Sequence, residues 1–223
     1  MNAAKGSALA RCRLYAIIDL GYVAPDDAEE ATVQLLRGGA DLIQLRGKRQ
    51  TIARLTDLAE QLHGLTSHAG VPLIINDHPE IARDLRAEGV HLGQDDVSIL
   101  LAREIVGREC WIGKSTHSVE QAIAAEAEGA DYIGFGPLFA TPTKPDYQPI
   151  GMEDIRRVHE LVRIPIFCIG GIKLANLPHV LAAGAQRVVI VSGLLQSADV
   201  AAATRAANEL LAENQKSEIR DQK

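Results

Sequence analysis

Cysteine is scarce in this chain, with three in 223 residues: Cys12, Cys110 and Cys168. They lie far apart, are odd in number and form no CxxC pair. This excludes a disulfide framework and a cysteine-held zinc, and it suits a reducing compartment. Basic residues lack the excess that a nucleic-acid protein shows. With 23 Lys and Arg against 29 Asp and Glu, the net charge is −6, so any anion site must be local. No apolar run approaches the roughly 20 residues that a bilayer span needs, and the opening MNAAKGSALARCR has no apolar signal core. The expectation is a cytoplasmic protein. Neither GxGxxG nor GxxxxGK[ST] follows an apolar run, which removes two common nucleotide-binding loops. Aromatics make up 4%, so the core is expected to be Ala, Leu, Ile and Val.

What is present is alternation. Eight short apolar runs, RLYAIIDL, ADLIQLR, VPLIIND, GVHLGQ, CWIGKS, DYIGFG, IPIFCIGG and RVVIVSG, have the length of buried parallel strands. Segments with helical spacing separate them, and an Ala-rich helix from Ala201 to Leu211 follows the last. A weak repeat marks the helix-to-strand joints: GGAD at Gly38–Asp41, EGV at Glu88–Val90, EGAD at Glu128–Asp131 and AGAQ at Ala183–Gln186, each read as a C-cap glycine before a strand. Eight βα units predict an α/β fold, a single-domain (β/α)8 TIM barrel over residues 14–212. Residues 1–13 are then an extension and 213–223 a frayed polar tail. An open doubly wound sheet is the alternative, and the absent glycine-rich loops weaken it.

In a (β/α)8 barrel the site is built at the C-terminal ends of the strands. Those positions hold Gln44, Arg46 and Lys48 after strand 2, Asn76 and Asp77 after strand 3, and Gln94, Asp95 and Asp96 after strand 4. Strand 5 supplies Ser115 and His117, strand 6 supplies Thr141, Thr143 and Lys144 in ATPTK, and strands 7 and 8 supply Gly170, Gly171 and Ser192. Each signal alone has a plainer reading. Arg46 and Lys48 suit a solvated strand end, and Asn76-Asp77 is a turn dipeptide. Asp95, Asp96 and His117 stand where helix caps stand, and Cys168 reads as a small core residue.

The combination says more. Arg46, Lys48 and Lys144 converge with Asp77 and Asp96. That mixture suits a polyphosphate whose charge is shared between side chains and a Mg2+ ion, although a structural salt-bridge ring is also compatible. Glycines after strands 7 and 8 suit a second anion held by backbone N–H groups.

In this order and at these spacings, QLRGK, ND, GVHLGQDD, GKSTH, DYIGFGPLFATPTK, IGGI and VIVSG resemble the thiamine phosphate synthase family, from Leu14 to Leu211. The resemblance implies a transferase of thiamine biosynthesis that joins a hydroxymethylpyrimidine pyrophosphate to a thiazole phosphate, giving thiamine phosphate and pyrophosphate. It implies that Gln44, Arg46, Lys48, Asn76, Ser115 and Lys144 contact the pyrimidine pyrophosphate, with Arg46, Lys48, Ser115 and Lys144 acting on the leaving group. Asp77 and Asp96 become the Mg2+ ligands. Thr141, Thr143, Gly171, Val191 and Ser192, with Gly170 beside them, hold the thiazole phosphate.

The related thiazole tautomerase branch would use His117, and a non-catalytic barrel that binds a phosphate ligand would need no Mg2+ site. The role of Lys114, the part played by Asp95 and a lid at 145–150 stay open, as does a homo-oligomer. Small-molecule substrates are the expected partners, with no nucleic acid and no membrane.

Overall fold

The computed structural model describes residues 8–141 and 148–221, with side chains to residue 216. Among them are eight strands: β1 (Leu14–Asp19), β2 (Leu42–Arg46), β3 (Leu73–Asn76), β4 (Gly89–Leu92), β5 (Trp111–Thr116), β6 (Tyr132–Phe135), β7 (Ile166–Cys168) and β8 (Val188–Ile190). Each pairs in parallel with the next, and β8 pairs with β1, so the sheet closes into a barrel in chain order. The helices between them are α1 (Ala28–Arg37), α2 (Ile52–Ala69), α3 (Pro79–Leu85), α4 (Ile99–Val106), α5 (Val119–Ala127), α6 (Ile155–Leu161) and α7 (Leu177–Ala182). A short α8 (Ser192–Leu195) and a long α9 (Val200–Asp221) follow β8. The (β/α)8 barrel is therefore present. Among the described residues no helix is long and apolar enough to cross a membrane.

The unbroken apolar runs conceal a period of two, because both faces of each strand are buried. Leu14, Ala16 and Ile18 face the helices, while Tyr15 and Ile17 face the barrel interior; Ile43 and Leu45 face out where Leu42 faces in. The helix-facing core is the expected aliphatic one. The interior corrects the expectation, for Tyr15, Trp111, Tyr132 and Phe167 fill it. Tyr15, Tyr132 and Phe167 meet edge to face at centroid distances of 5.4–6.0 Å. Large rings fit because small residues oppose them. A methyl group at Gly113 would run into the Tyr132 ring and His91.

Leu9, in a helical turn at residues 8–11, is fully buried in this inner core, so these residues pack against the barrel. In the C-terminal part of the chain, α9 continues to Asp221, within the stretch expected to fray.

The joint repeat has a physical cause beyond its glycines. Leu14 N–H donates to Asp41 (2.9 Å), Ile112 N–H to Asp131 (2.8 Å) and Leu73 N–H to Glu88 (2.8 Å), so at three of the four joints an acid accepts from an N–H at the start of a neighbouring strand. The EGV joint differs from expectation, since α3 ends at Leu85 with Arg86 in the left-handed region and Gly89 already lies in β4.

Candidate active site

The C-terminal mouth of the barrel holds a cavity. Gln44, Arg46, Asn76, Ser115, His117, Thr141, Gly170, Gly171, Val191 and Ser192 all line it. Lys48, Asp77 and Asp96 form a charged cluster beside it, at the ends of β2, β3 and β4. Thr143 and Lys144 lie outside the described residues, as do residues 145–147 of the expected lid.

Arg46 is held by an ion pair to Asp19 at 2.6 Å, both side chains largely buried. Asp19 also accepts from Gly21 N–H at 2.9 Å. With its carboxylate neutralising part of the guanidinium field, Arg46 points its remaining donors from a fixed position.

Asp77 has φ +66°, a backbone conformation uncommon for a residue other than glycine. Its amide donates to the His91 carbonyl across β4 (2.9 Å), which keeps it there. Lys48 Nζ lies 2.5 Å from its carboxylate. Burial, then a hydrogen bond with Asp96, push the Asp77 carboxyl up, against the pull of Lys48. For Asp96 burial acts in the same direction, but the bonds from Asp77 and from Gly93 N–H (2.6 Å) and the nearby ammoniums of Lys48 and Lys114 outweigh it, so this carboxyl sits below its usual range. Two carboxylates driven together in this way are a natural cation pair. Among the described residues no third histidine, cysteine or carboxylate completes a cage with them. Two carboxylates are a donor set that a hard cation such as Mg2+ could use, since it binds through one or two carboxylates and fills its remaining positions with phosphate oxygens and waters.

The two helix-cap readings are corrected, and the open position of Lys114 is filled in. Ser98 caps α4, accepting from Leu101 N–H, so neither Asp95 nor Asp96 is that cap; Asp95 is exposed. Ser118, not His117, caps α5. Lys114 is buried and donates to the Gly93 carbonyl at 2.7 Å, bracing the turn that carries Asp96.

The loop after β6 is sewn to the end of β7: Leu138 N–H donates to Ile169 O (2.8 Å) and Phe139 N–H to Gly170 O (3.1 Å). Gly170 and Gly171, at φ +101° and +67°, are needed for this approach, because side chains there would strike Pro137 and Phe139. The apolar opening of DYIGFGPLFATPTK thus ends by carrying Thr141 against the glycine turn, and Val191 and Ser192 enter the same cavity from β8 and the start of α8.

Sequence reading missed Asp19, His91, Tyr15 and Tyr132, all of which lie inside apolar runs. His91 bonds Ser115 Oγ through Nε2 (3.0 Å) and Tyr132 Oη through Nδ1 (3.2 Å). Tyr132 Oη lies 3.1 Å from Tyr15 Oη, which Gln44 Nε2 approaches to 2.5 Å. The only signal available was a histidine in a four-residue strand, at a position that alternation turns inward.

A family model described as thiamine monophosphate synthase matches residues 14–194. The chain belongs to that family. A thiamine-phosphate synthase from Chloroflexus aurantiacus is 40% identical over 204 residues, covering 91% of this chain and 94% of the relative. One from Methanospirillum hungatei is 43% identical, covering 90% and 98%. The solved thiamine phosphate pyrophosphorylase from Pyrococcus furiosus superposes with a TM-score of 0.85 at 32% identity, covering 94% of this chain and 98% of that one. These relatives favour neither the tautomerase reading nor the binding-barrel reading. His117, the residue the former would use, hydrogen-bonds the Gly136 carbonyl through Nδ1.

Proposed function

We propose that the barrel mouth joins a 4-amino-2-methyl-5-hydroxymethylpyrimidine pyrophosphate to a thiazole phosphate, with Arg46, Lys48, Ser115 and Lys144 acting on the departing pyrophosphate. The observation that carries this reading is the juxtaposition at one barrel end of a cavity lined by Gln44, Arg46, Asn76 and Ser115 with the Lys48–Asp77–Asp96 cluster. In the dissociative route the methylene C–O bond breaks, its electron pair leaves on pyrophosphate, and the thiazole nitrogen lone pair forms the new C–N bond. No proton is gained or lost. The chain therefore needs no base or nucleophile of its own. It needs cations and donors fixed where negative charge develops, and a fixed approach for the second substrate.

Arg46, oriented by Asp19, and the Ser115 hydroxyl meet the pyrophosphate, while Gln44 and Asn76 orient the pyrimidine. Thr141, Thr143, Gly170, Gly171, Val191 and Ser192 hold the thiazole phosphate. Asp77 and Asp96 would hold Mg2+, which when bound supplies positive charge to the leaving group. The reading places the enzyme in the cytoplasm and leaves a homo-oligomer compatible with it.

The test mixes purified protein with both substrates and Mg2+ and follows thiamine phosphate by mass spectrometry. Product is expected, with EDTA abolishing it and Asp77→Asn, Asp96→Asn or Lys144→Ala lowering the rate on the order of 100- to 1000-fold. Folded protein that forms no product, or product indifferent to EDTA, would overturn the reading or its metal, respectively.

A further inference from the structure

Along the wall of the cavity, four hydrogen bonds run without a break from Gln44 through Tyr15, Tyr132 and His91 to Ser115. The chain joins a residue proposed to face the pyrimidine to one proposed to face the pyrophosphate, and its middle members are fully buried or nearly so. We infer that His91, with Tyr132 and Tyr15, is a positioning element that sets the donor–acceptor polarity of the site, holding the Ser115 hydroxyl as a donor to the anion and leaving the Gln44 carbonyl as an acceptor for the pyrimidine N–H. The inference rests on the substrate reading above.

A tyrosine hydroxyl, a serine hydroxyl and a neutral imidazole each carry one donor. Within the relay Tyr15, Tyr132 and His91 each bond two neighbours, and a member that spends its one proton on one neighbour accepts from the other. The direction at one end then dictates the direction at the other. Burial pushes both phenols well above their ordinary range, so both keep their protons.

Phosphate oxygens only accept, so Ser115 must spend its proton on the ligand. It then accepts from His91 Nε2–H, His91 Nδ1 accepts from Tyr132, Tyr132 accepts from Tyr15, and Tyr15 accepts from an amide N–H. The amide nitrogen of Gln44 is the atom 2.5 Å from Tyr15 Oη. Its oxygen remains the acceptor, which suits a ligand that offers an exocyclic amine. Run the other way, the chain would commit the Ser115 proton to His91 and present lone pairs to an anion. An imidazolium would also fail, since its Nδ1–H would turn Tyr132 back on Tyr15 and leave two donors facing across the Gln44 link. Hydrogen bonds in such a chain polarise one another, so the ends are coupled energetically as well as by proton count.

The experiment labels the histidines of the full chain with 15N and reads His91 by long-range 1H–15N correlation with Mg2+ and inorganic pyrophosphate present, the assignment coming from His91→Gln. Protonation at Nε2 and a bare Nδ1 are expected; the opposite tautomer or an imidazolium would overturn the inference. This reading needs no turnover, so it decides the matter even if the protein forms no thiamine phosphate and the substrate reading itself fails.

In the catalytic assay, Tyr132→Phe keeps the ring and removes one link. Roughly a tenfold lower kcat/KM for the pyrimidine pyrophosphate is expected, with KM for the thiazole phosphate unchanged. Folded Tyr132→Phe with unaltered kcat/KM would mean that the chain only satisfies buried hydroxyls. If that variant does not fold, the spectrum of the wild-type protein still decides.

Discussion

Removing the Asp19 carboxylate would strand the Arg46 guanidinium in a mostly buried position with its partner gone. Breaking a buried pair from one side costs roughly 3–5 kcal/mol. We expect Asp19→Ala to lower the urea midpoint accordingly and to raise KM for the pyrimidine pyrophosphate, because Arg46 would no longer be aimed. Stability and KM both unchanged would show that Arg46 holds its place without Asp19. Asp19 and His91 share a reason for being illegible in the sequence. Each is one polar residue in an apolar run, and each gains its role from a partner that only barrel closure brings near, 27 residues away for Asp19 and 24 for the bond from His91 to Ser115. The strand-end residues were legible because they depart from the apolar run where the fold places its active site. Gly113 belongs to the same scale. Gly113→Ala is expected to destabilise by roughly 1–3 kcal/mol or more in urea denaturation, since the added methyl meets Tyr132 and His91 inside a packed barrel.

Helix α6 contains a titratable residue with a consequence for acid stability. Burial, with a smaller push from Arg187, lowers His159 from 6.5 to about 4. The folded form therefore keeps the imidazole neutral, whereas the unfolded chain takes a proton near pH 6.5. Stability from this group is complete above that value and is lost as pH falls from 6.5 towards 4, by at most about 3 kcal/mol. His159→Gln should flatten that part of the curve, read as the change in urea midpoint between pH 7 and pH 4.5 compared with wild type. Parallel curves for the two proteins would remove His159 as the source. At the scale of elements the sequence was informative about existence and order, because apolar runs and helical spacing alternate through all eight units. It was less informative about ends. The polarity of the last eleven residues concealed a helix that continues to Asp221, and the glycine in EGV concealed a helix stop made by Arg86 in a left-handed conformation.

Across the whole molecule, stability and chemistry occupy opposite ends of one barrel. The catalytic mouth gathers charge and polar side chains at the strand C-termini, whereas the bottom is closed by residues 8–12 with Leu9 buried among the inner aromatics. One helical turn is too short to show periodicity, so the burial of Leu9 is not legible in the sequence. Its placement predicts a separation of effects. Leu9→Ala would leave a cavity in the inner core and cost roughly 2–5 kcal/mol, depending on how far Tyr15 and Phe167 can close over it. The mouth is built on strand ends that Leu9 does not touch, so KM for both substrates should stay at the wild-type value at temperatures where the variant remains folded. Thermal denaturation alongside steady-state kinetics checks both halves. A stable Leu9→Ala protein would mean that the plug contributes little to the fold. A destabilised one with altered KM would mean that the inner aromatic layer transmits packing changes from the bottom of the barrel to Gln44 and Ser115, through the same Tyr15 and Tyr132 that join them by hydrogen bonds.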